Sequence, residues 1–199
     1  MMLPQDLPES PGEWPRRIGP LTLSLPDPEG VDAVLRRRND PAVTEWLIQT
    51  RMDPESLKKE WLSSLTNPLQ HVVIAGLGDE VVASGSLWIV DGLGQIHGYP
   101  EAYSNREAGI DYLVDPRYRG RGFASRIAEV MLGLAFDELH LRRVTAGCFA
   151  DNHASRRILE RSGMRLEQYG IRDSWHADYG WLDGCTYSLL AEEWTSPKL

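Results

Sequence analysis

At 199 residues the chain is long enough to bury a sizeable core as one domain and too short for two domains of ordinary size. Its 42% hydrophobic and 25% charged content excludes wholesale disorder, a collagen repeat and a disulfide scaffold. With 21 basic and 29 acidic residues the net charge is −8, which repels phosphate backbones and argues against direct nucleic-acid binding.

Residues 1–19 hold Pro4, Pro8, Pro11 and Pro15 among polar residues and read as an extended arm outside the core, with a single domain over 20–199. The start of the chain lacks the basic-then-apolar order of a signal peptide. No apolar run approaches the roughly 20 residues of a membrane helix, so no membrane association is expected. Leu21, Leu23 and Leu25 alternate with Thr22 and Ser24 as in a strand with one buried face, which Pro26-Asp27-Pro28 stops. Residues 31–38 and 45–65 read as helices. Asp40-Pro41 separates them, and Asp53-Pro54 starts a further piece with Asp53 as N-cap and Pro54 at its first position.

Residues 71–75 and 81–90 are rich in β-branched residues and read as a hairpin turning over 76–80. After a glycine-rich stretch at 91–100, residues 109–114 form a strand that ends at Asp115-Pro116. Over 123–139, Phe123, Ile127, Val130, Met131, Leu134 and Ala135 share one face, the clearest helix in the chain. Residues 143–149 read as a strand and 152–162 as a helix closed by Gly163, with two more strands from Met164 onward around 178–183.

Cys148 and Cys185 permit one disulfide at most and no CxxC motif, which fits a reducing, cytoplasmic setting. Cys148 reads as a small strand residue rather than a nucleophile. The histidines at 71, 97, 140, 153 and 176 show no ligand spacing, so no metal is expected.

The chemistry concentrates in residues 115–125, where Gly120 and Gly122 open the loop between a strand and the strongest helix. Glycines let backbone amides approach a ligand, and a helix N-terminus adds unpaired N–H groups and partial positive charge, a combination suited to a pyrophosphate. Arg117, Arg119 and Arg121 add charge, although a plain turn with solvated arginines has the same composition. The spacing fits neither a P-loop nor a Rossmann fingerprint.

Arg117-x-x-Gly120-x-Gly122 resembles the Gln/Arg-x-x-Gly-x-Gly/Ala motif of the GNAT acetyltransferase superfamily. Asn152-x-x-Ser155 followed by Ile158-Leu159-Glu160-Arg161-Ser162-Gly163-Met164 is similar to a segment of its RimJ/RimL-like branch, as is the ending Tyr187 to Trp194. The likeness runs over roughly residues 20–194 and is strongest over 109–164. It implies an α/β (α+β) fold, with a mixed, mostly antiparallel central sheet flanked by helices. The fourth and fifth strands, near 109–114 and 143–149, are expected to splay around acetyl-CoA. By the same resemblance Arg117, Arg119, Gly120, Arg121, Gly122, Phe123 and Ala124 hold the pyrophosphate. Leu113 and Val114 offer backbone to the acetyl-pantetheine end, Asn152 contacts the pantetheine arm, and Ser155 stabilises the departing thiolate.

Direct transfer needs a neutral amine. At pH 7 deprotonation costs about 1 kcal/mol for an α-amine and about 4 to 5 for a lysine amine. Glu107 and Asp111 are the candidate bases, each with a solvated strand-edge charge as its plain alternative. Relatives commonly have Gly where Asp111 stands, and RimJ/RimL-like proteins often have Glu where Gly109 stands. Asn152 and Ser155 also suit a helix cap and first turn. Trp175, His176, Tyr179 and Trp181 line the acceptor entrance or pack within a hairpin.

The expectation is an acetyl-CoA-dependent N-acetyltransferase acting on a primary amine, foremost a protein or peptide N-terminus. A cationic small molecule such as a polyamine or antibiotic-like amine is the alternative acceptor, and a non-catalytic acyl-CoA-binding module the alternative class. A homodimer is left open.

Overall fold

The structure, a computed structural model, describes residues 12–95 and 103–196. Pro4, Pro8, Pro11 and His97 lie outside the described residues. One eight-stranded sheet organises the chain: β1 Arg16–Ile18, β2 Leu21–Ser24, β3 Gln70–Leu77, β4 Glu80–Val90, β5 Glu107–Val114, β6 Arg143–Phe149, β7 Arg165–His176 and β8 Gly180–Leu190. Their order is β1-β2-β3-β4-β5-β6-β8-β7, and every neighbouring pair is antiparallel except β5 with β6. This is the mixed, mostly antiparallel sheet that the resemblance implies.

The helices are α1 Pro28–Arg38, α2 Pro41–Thr44, α3 Pro54–Ser63, α4 Phe123–Gly133 and α5 His153–Arg161. Strand alternation sends β3 side chains to two cores. Val73 and Ala75 join Ile127, Met131 and Leu134 beneath α4, whereas Val72 and Ile74 pack with Val31, Leu57 and Trp61 of α1 and α3. The sheet is thus the middle of three layers.

Asp27, Asp40 and Asp53 cap α1, α2 and α3 through the amides of Gly30, Ala42 and Ser56 at 2.8, 2.9 and 2.9 Å, each followed by proline at the start of its helix. The restart expected at Asp53-Pro54 is observed as α3, but the expected piece from residue 45 up to that point is absent, because residues 45–53 are not helical. Asn39 explains the break: its side chain accepts from the Met52 amide at 2.9 Å and donates to the Met52 carbonyl at 3.0 Å. That pairing satisfies backbone groups that a helix would otherwise use. α4 ends at Gly133, and a wider π-helical turn, Leu134–Glu138, carries the chain onward.

The sheet begins inside the stretch read as an outlying arm. Arg16–Ile18 pairs with β2, and Ile18 is buried, so these residues join the core that composition left them out of. Pro15 precedes the strand, where its missing N–H removes no ladder bond. With β1 counted, the strands expected to splay become β5 and β6. No helix among the described residues is long and apolar enough to cross a membrane.

Candidate active site

β5 and β6 pair only at Glu107 with Arg143, Ala108 with Val144 and Gly109 with Thr145. Beyond that point β5 stays with β4 as far as Val114, and β6 stays with β8 as far as Phe149. The β6-facing edge of residues 110–114, which includes Leu113 and Val114, therefore has no strand partner. Exposed strand backbone of this kind can pair with an extended amide-bearing ligand.

At the wide end of the cleft the chain turns through Asp115 into the glycine loop. Gly120 and Gly122 both have φ of +76°, a left-handed conformation that strains any other residue, and a Cβ at either position would meet open space. Conformation rather than crowding requires glycine there. Gly122 caps α4 without a side-chain bond, and the amides of residues 120–125 find no partner among the described residues. Phe123 is buried under the loop and stacks on Tyr118 at 6.5 Å, anchoring the first turn that Ala124 continues. The loop thus presents consecutive free donors at a helix N-terminus.

The three arginines are less available than their spacing suggests. Arg117 is held by Asp115 and by Glu80 at 3.1 Å. Arg119 donates to the Ala42 carbonyl at 2.8 Å, and Arg121 lies 5.1 Å from the centre of the Tyr118 ring. Burial pushes the Asp115 carboxyl upward, but hydrogen bonds from Arg117 and the charges of Arg37 and Arg117 outweigh it and hold the pKa below its ordinary value. Arg117 in this arrangement braces the loop.

On the α4–α5 side of β5, Tyr112 Oη lies 2.9 Å from Ser155 Oγ. Burial pushes the Tyr112 phenol up to about 12, so it stays protonated at neutral pH. Ser155 is placed by α5, whose N-cap Asn152 accepts from the Ser155 amide at 3.1 Å. Asn152 therefore caps the helix, as the plain reading allowed. The rest of the motif fixes α5 in place: Leu159 is buried, Glu160 accepts from the buried Tyr187 hydroxyl at 2.8 Å, and Gly163 ends the turn at φ +84°. Cys148 faces the same space as a free thiol that burial pushes up to about 11, which leaves it un-ionised at neutral pH.

The opposite face of β5 lines a cavity of about 210 Å³ between the sheet and the α1–α3 layer. Asp111 lines it together with Arg38, Glu60, Trp61, Trp88 and Leu113. Although solvent reaches Asp111, protein surrounds the carboxylate, and this desolvation pushes its pKa above the ordinary value against hydrogen bonding from Ser86 and the charge of Arg38. Glu107 shares the strand face but does not line the cavity. It sits where β5 and β6 are still paired, held by Arg142 and by Arg143 at 3.5 Å. The structure separates the two candidate bases. Gly109 is explained by its cross-strand partner, since a Cβ there would meet Trp88 Cε2 at 2.2 Å.

The final hairpin packs on the segment just before the cavity residues Leu47 and Gln49. His176 is buried, with Nε2 2.6 Å from the Glu45 carbonyl oxygen, and stacks on Tyr179 at 4.6 Å. Trp46 joins this cluster, which pins the segment leading to cavity residues Leu47 and Gln49. Trp175 and Trp181 instead form an exposed cross-strand pair 5.5 Å apart. Of the four aromatics read as an entrance, two hold the segment and two pack against each other.

Sequence reasoning missed Tyr112, Arg38 and the tryptophans of the cavity. Alternation along β5 could have placed Tyr112 on the face opposite Asp111. Among the described residues no group of three or more His, Cys, Asp or Glu gathers as a metal site.

The profile described as "Acetyltransferase (GNAT) domain" matches residues 20–165. "Putative ribosomal N-acetyltransferase YdaF" of Bacillus subtilis (strain 168) is 30% identical over 186 residues, covering 89% of this chain and 95% of that protein. Spermidine N-acetyltransferase from Vibrio cholerae, solved with CoA and spermine, superposes with a TM-score of 0.72 at 14% identity, covering 88% of this chain and 98% of that one. RimL, the ribosomal L7/L12 alpha-N-protein acetyltransferase solved with coenzyme A, gives 0.67 at 18% identity, covering 92% and 97%.

Proposed function

The chain belongs to the GNAT acetyltransferase family and is an N-acetyltransferase that uses acetyl-CoA, and from this premise we propose that it acetylates the α-amine of a protein or peptide N-terminus held in the Asp111 cavity. One observation carries the reading: Asp111 and the Tyr112–Ser155 pair lie on opposite faces of the same strand, where its edge is freed from β6.

When bound, acetyl-CoA supplies a thioester carbonyl for the amine to attack. The free amides of residues 120–125 hold its pyrophosphate, and the unpaired edge at Leu113 and Val114 aligns the acetyl-pantetheine end. Asp111 takes the proton of the incoming amine, directly or through a water. Ser155, backed by the Tyr112 hydroxyl, donates to the sulfur as it leaves. A carboxylate suits an α-amine, whose deprotonation at pH 7 costs about 1 kcal/mol, better than an alkyl amine at about 4 to 5.

Similarity to a protein named as a ribosomal N-acetyltransferase supports the same acceptor. A polyamine is the second reading, favoured by Glu60 beside Asp111 and by two tryptophans able to face a cation. A screen of N-terminal peptides and polyamines, following coenzyme A release and locating the acetyl group by mass spectrometry, separates them. Turnover confined to polyamines would overturn the N-terminal assignment.

A further inference from the structure

Arg38 ends α1 and is 9% exposed. Its Nη2 donates to the Gln49 carbonyl at 2.8 Å, whereas Nη1 is buried and has no hydrogen-bond partner among the described residues. A desolvated, unpaired guanidinium donor is costly, and native structures rarely leave one without a reason. Arg38 lines the acceptor cavity together with Asp111 and is close enough to feel its charge, yet the two form no ion pair.

The cavity therefore joins a carboxylate to a guanidinium whose hydrogen-bonding capacity is not filled by the protein. A carboxylate alone would suit any amine. A second cationic end, as in a polyamine, would meet repulsion from Arg38, while a carbonyl or carboxylate oxygen would supply an acceptor to the guanidinium. Both needs are met by an amine with a carbonyl on the adjacent carbon.

Resting on the reading that this cavity receives the acceptor, we propose that Arg38 selects amines that carry a neighbouring carbonyl, through a hydrogen bond from its guanidinium to that oxygen. Arg38 is thus a specificity-determining residue and the substrate class is the α-amino carbonyl compound, which includes the first residue of any peptide.

The test compares kcat/KM for alaninamide with that for isopropylamine, which lacks the carbonyl, in wild type and in Arg38→Met. Taking the ratio of the two substrates in each protein and then comparing proteins cancels the different basicities of the amines. Arg38→Met is expected to lower the alaninamide-to-isopropylamine ratio about tenfold or more, mostly through KM, with acetyl-CoA affinity retained. Arg38→Lys, which keeps the charge but loses the planar fork, is a second variant expected to lower the ratio as well and serves if the methionine variant does not fold. An unchanged ratio, with both amines still acetylated, overturns the Arg38 assignment and leaves the acceptor cavity standing. Acetylation of neither amine nor of any peptide by the wild type overturns the cavity reading itself.

Discussion

Tyr112 Oη and Ser155 Oγ share a 2.9 Å hydrogen bond that joins β5 to α5 beside the point where β5 and β6 part. The bond gives Ser155 a neighbour that can replace a donated proton. If Ser155 protects the departing sulfur, Ser155→Ala should lower kcat about a hundredfold. Acetyl-CoA affinity should stay within about threefold, because the proposed pyrophosphate loop lies elsewhere. Tyr112→Phe should cost about tenfold in kcat. Stopped-flow thiol release together with calorimetry of acetyl-CoA binding checks both, and unchanged kcat in Ser155→Ala removes the serine from the mechanism.

Gly122 gives a separate test of the proposed coenzyme loop. Its φ of +76° strains any residue bearing a Cβ by about 1 to 2 kcal/mol, although no neighbour obstructs one. Relief of that strain would rotate the amides at the start of α4. Gly122→Val should therefore raise the acetyl-CoA Kd about tenfold or more. Calorimetry reads the change directly, and an unaltered Kd would place the pyrophosphate somewhere other than this loop.

The loop's shape was legible because it rests on local backbone conformation, and glycine spacing encodes conformation directly. The Asp53-Pro54 helix start was legible for the same reason. The Asp111 cavity was not, since Arg38, Glu60, Trp88 and Asp111 come from four elements that only the folded sheet assembles. Glu107 and Asp111 show the boundary: their spacing of four along a strand puts both on one face, but nothing near Glu107 in the chain reveals that Arg142 and Arg143 will occupy it. The break after α2 was hidden similarly, because Asn39 reaches across to Met52 and Trp46 packs on the distant hairpin.

Glu107 is accordingly expected to act through structure. Glu107→Gln removes ion pairs with Arg142 and Arg143, one of them largely exposed, and should cost about 0.5 to 1 kcal/mol in stability. Its kcat/KM should remain within about threefold of wild type. A denaturant melt and a steady-state assay on the same preparation measure both. A hundredfold loss of activity in a folded variant would return Glu107 to the list of bases.

Asp111 should behave in the opposite manner, and pH separates its two effects. Its pKa is raised mainly by desolvation, so folding favours the protonated form and the charged form carries a stability cost at neutral pH. That cost is absent below the unfolded carboxyl pKa and sets in as pH rises through the folded one. Asp111→Asn should therefore raise Tm at pH 7.5, with the gain shrinking toward zero as pH falls into the range where Asp111 is itself protonated. In the proposed role catalysis runs the other way: Asp111 must be ionised to take a proton, so wild-type kcat/KM should fall on the acid side with an apparent pKa above the ordinary carboxylate value. Asp111→Asn should lose about a hundredfold in activity. The remaining rate should lose that acid limb. Measuring Tm and kcat/KM across pH 4.5 to 8.5 tests the pair of signs, since a variant both less stable and fully active would show that the Asp111 charge supports the fold and takes no proton.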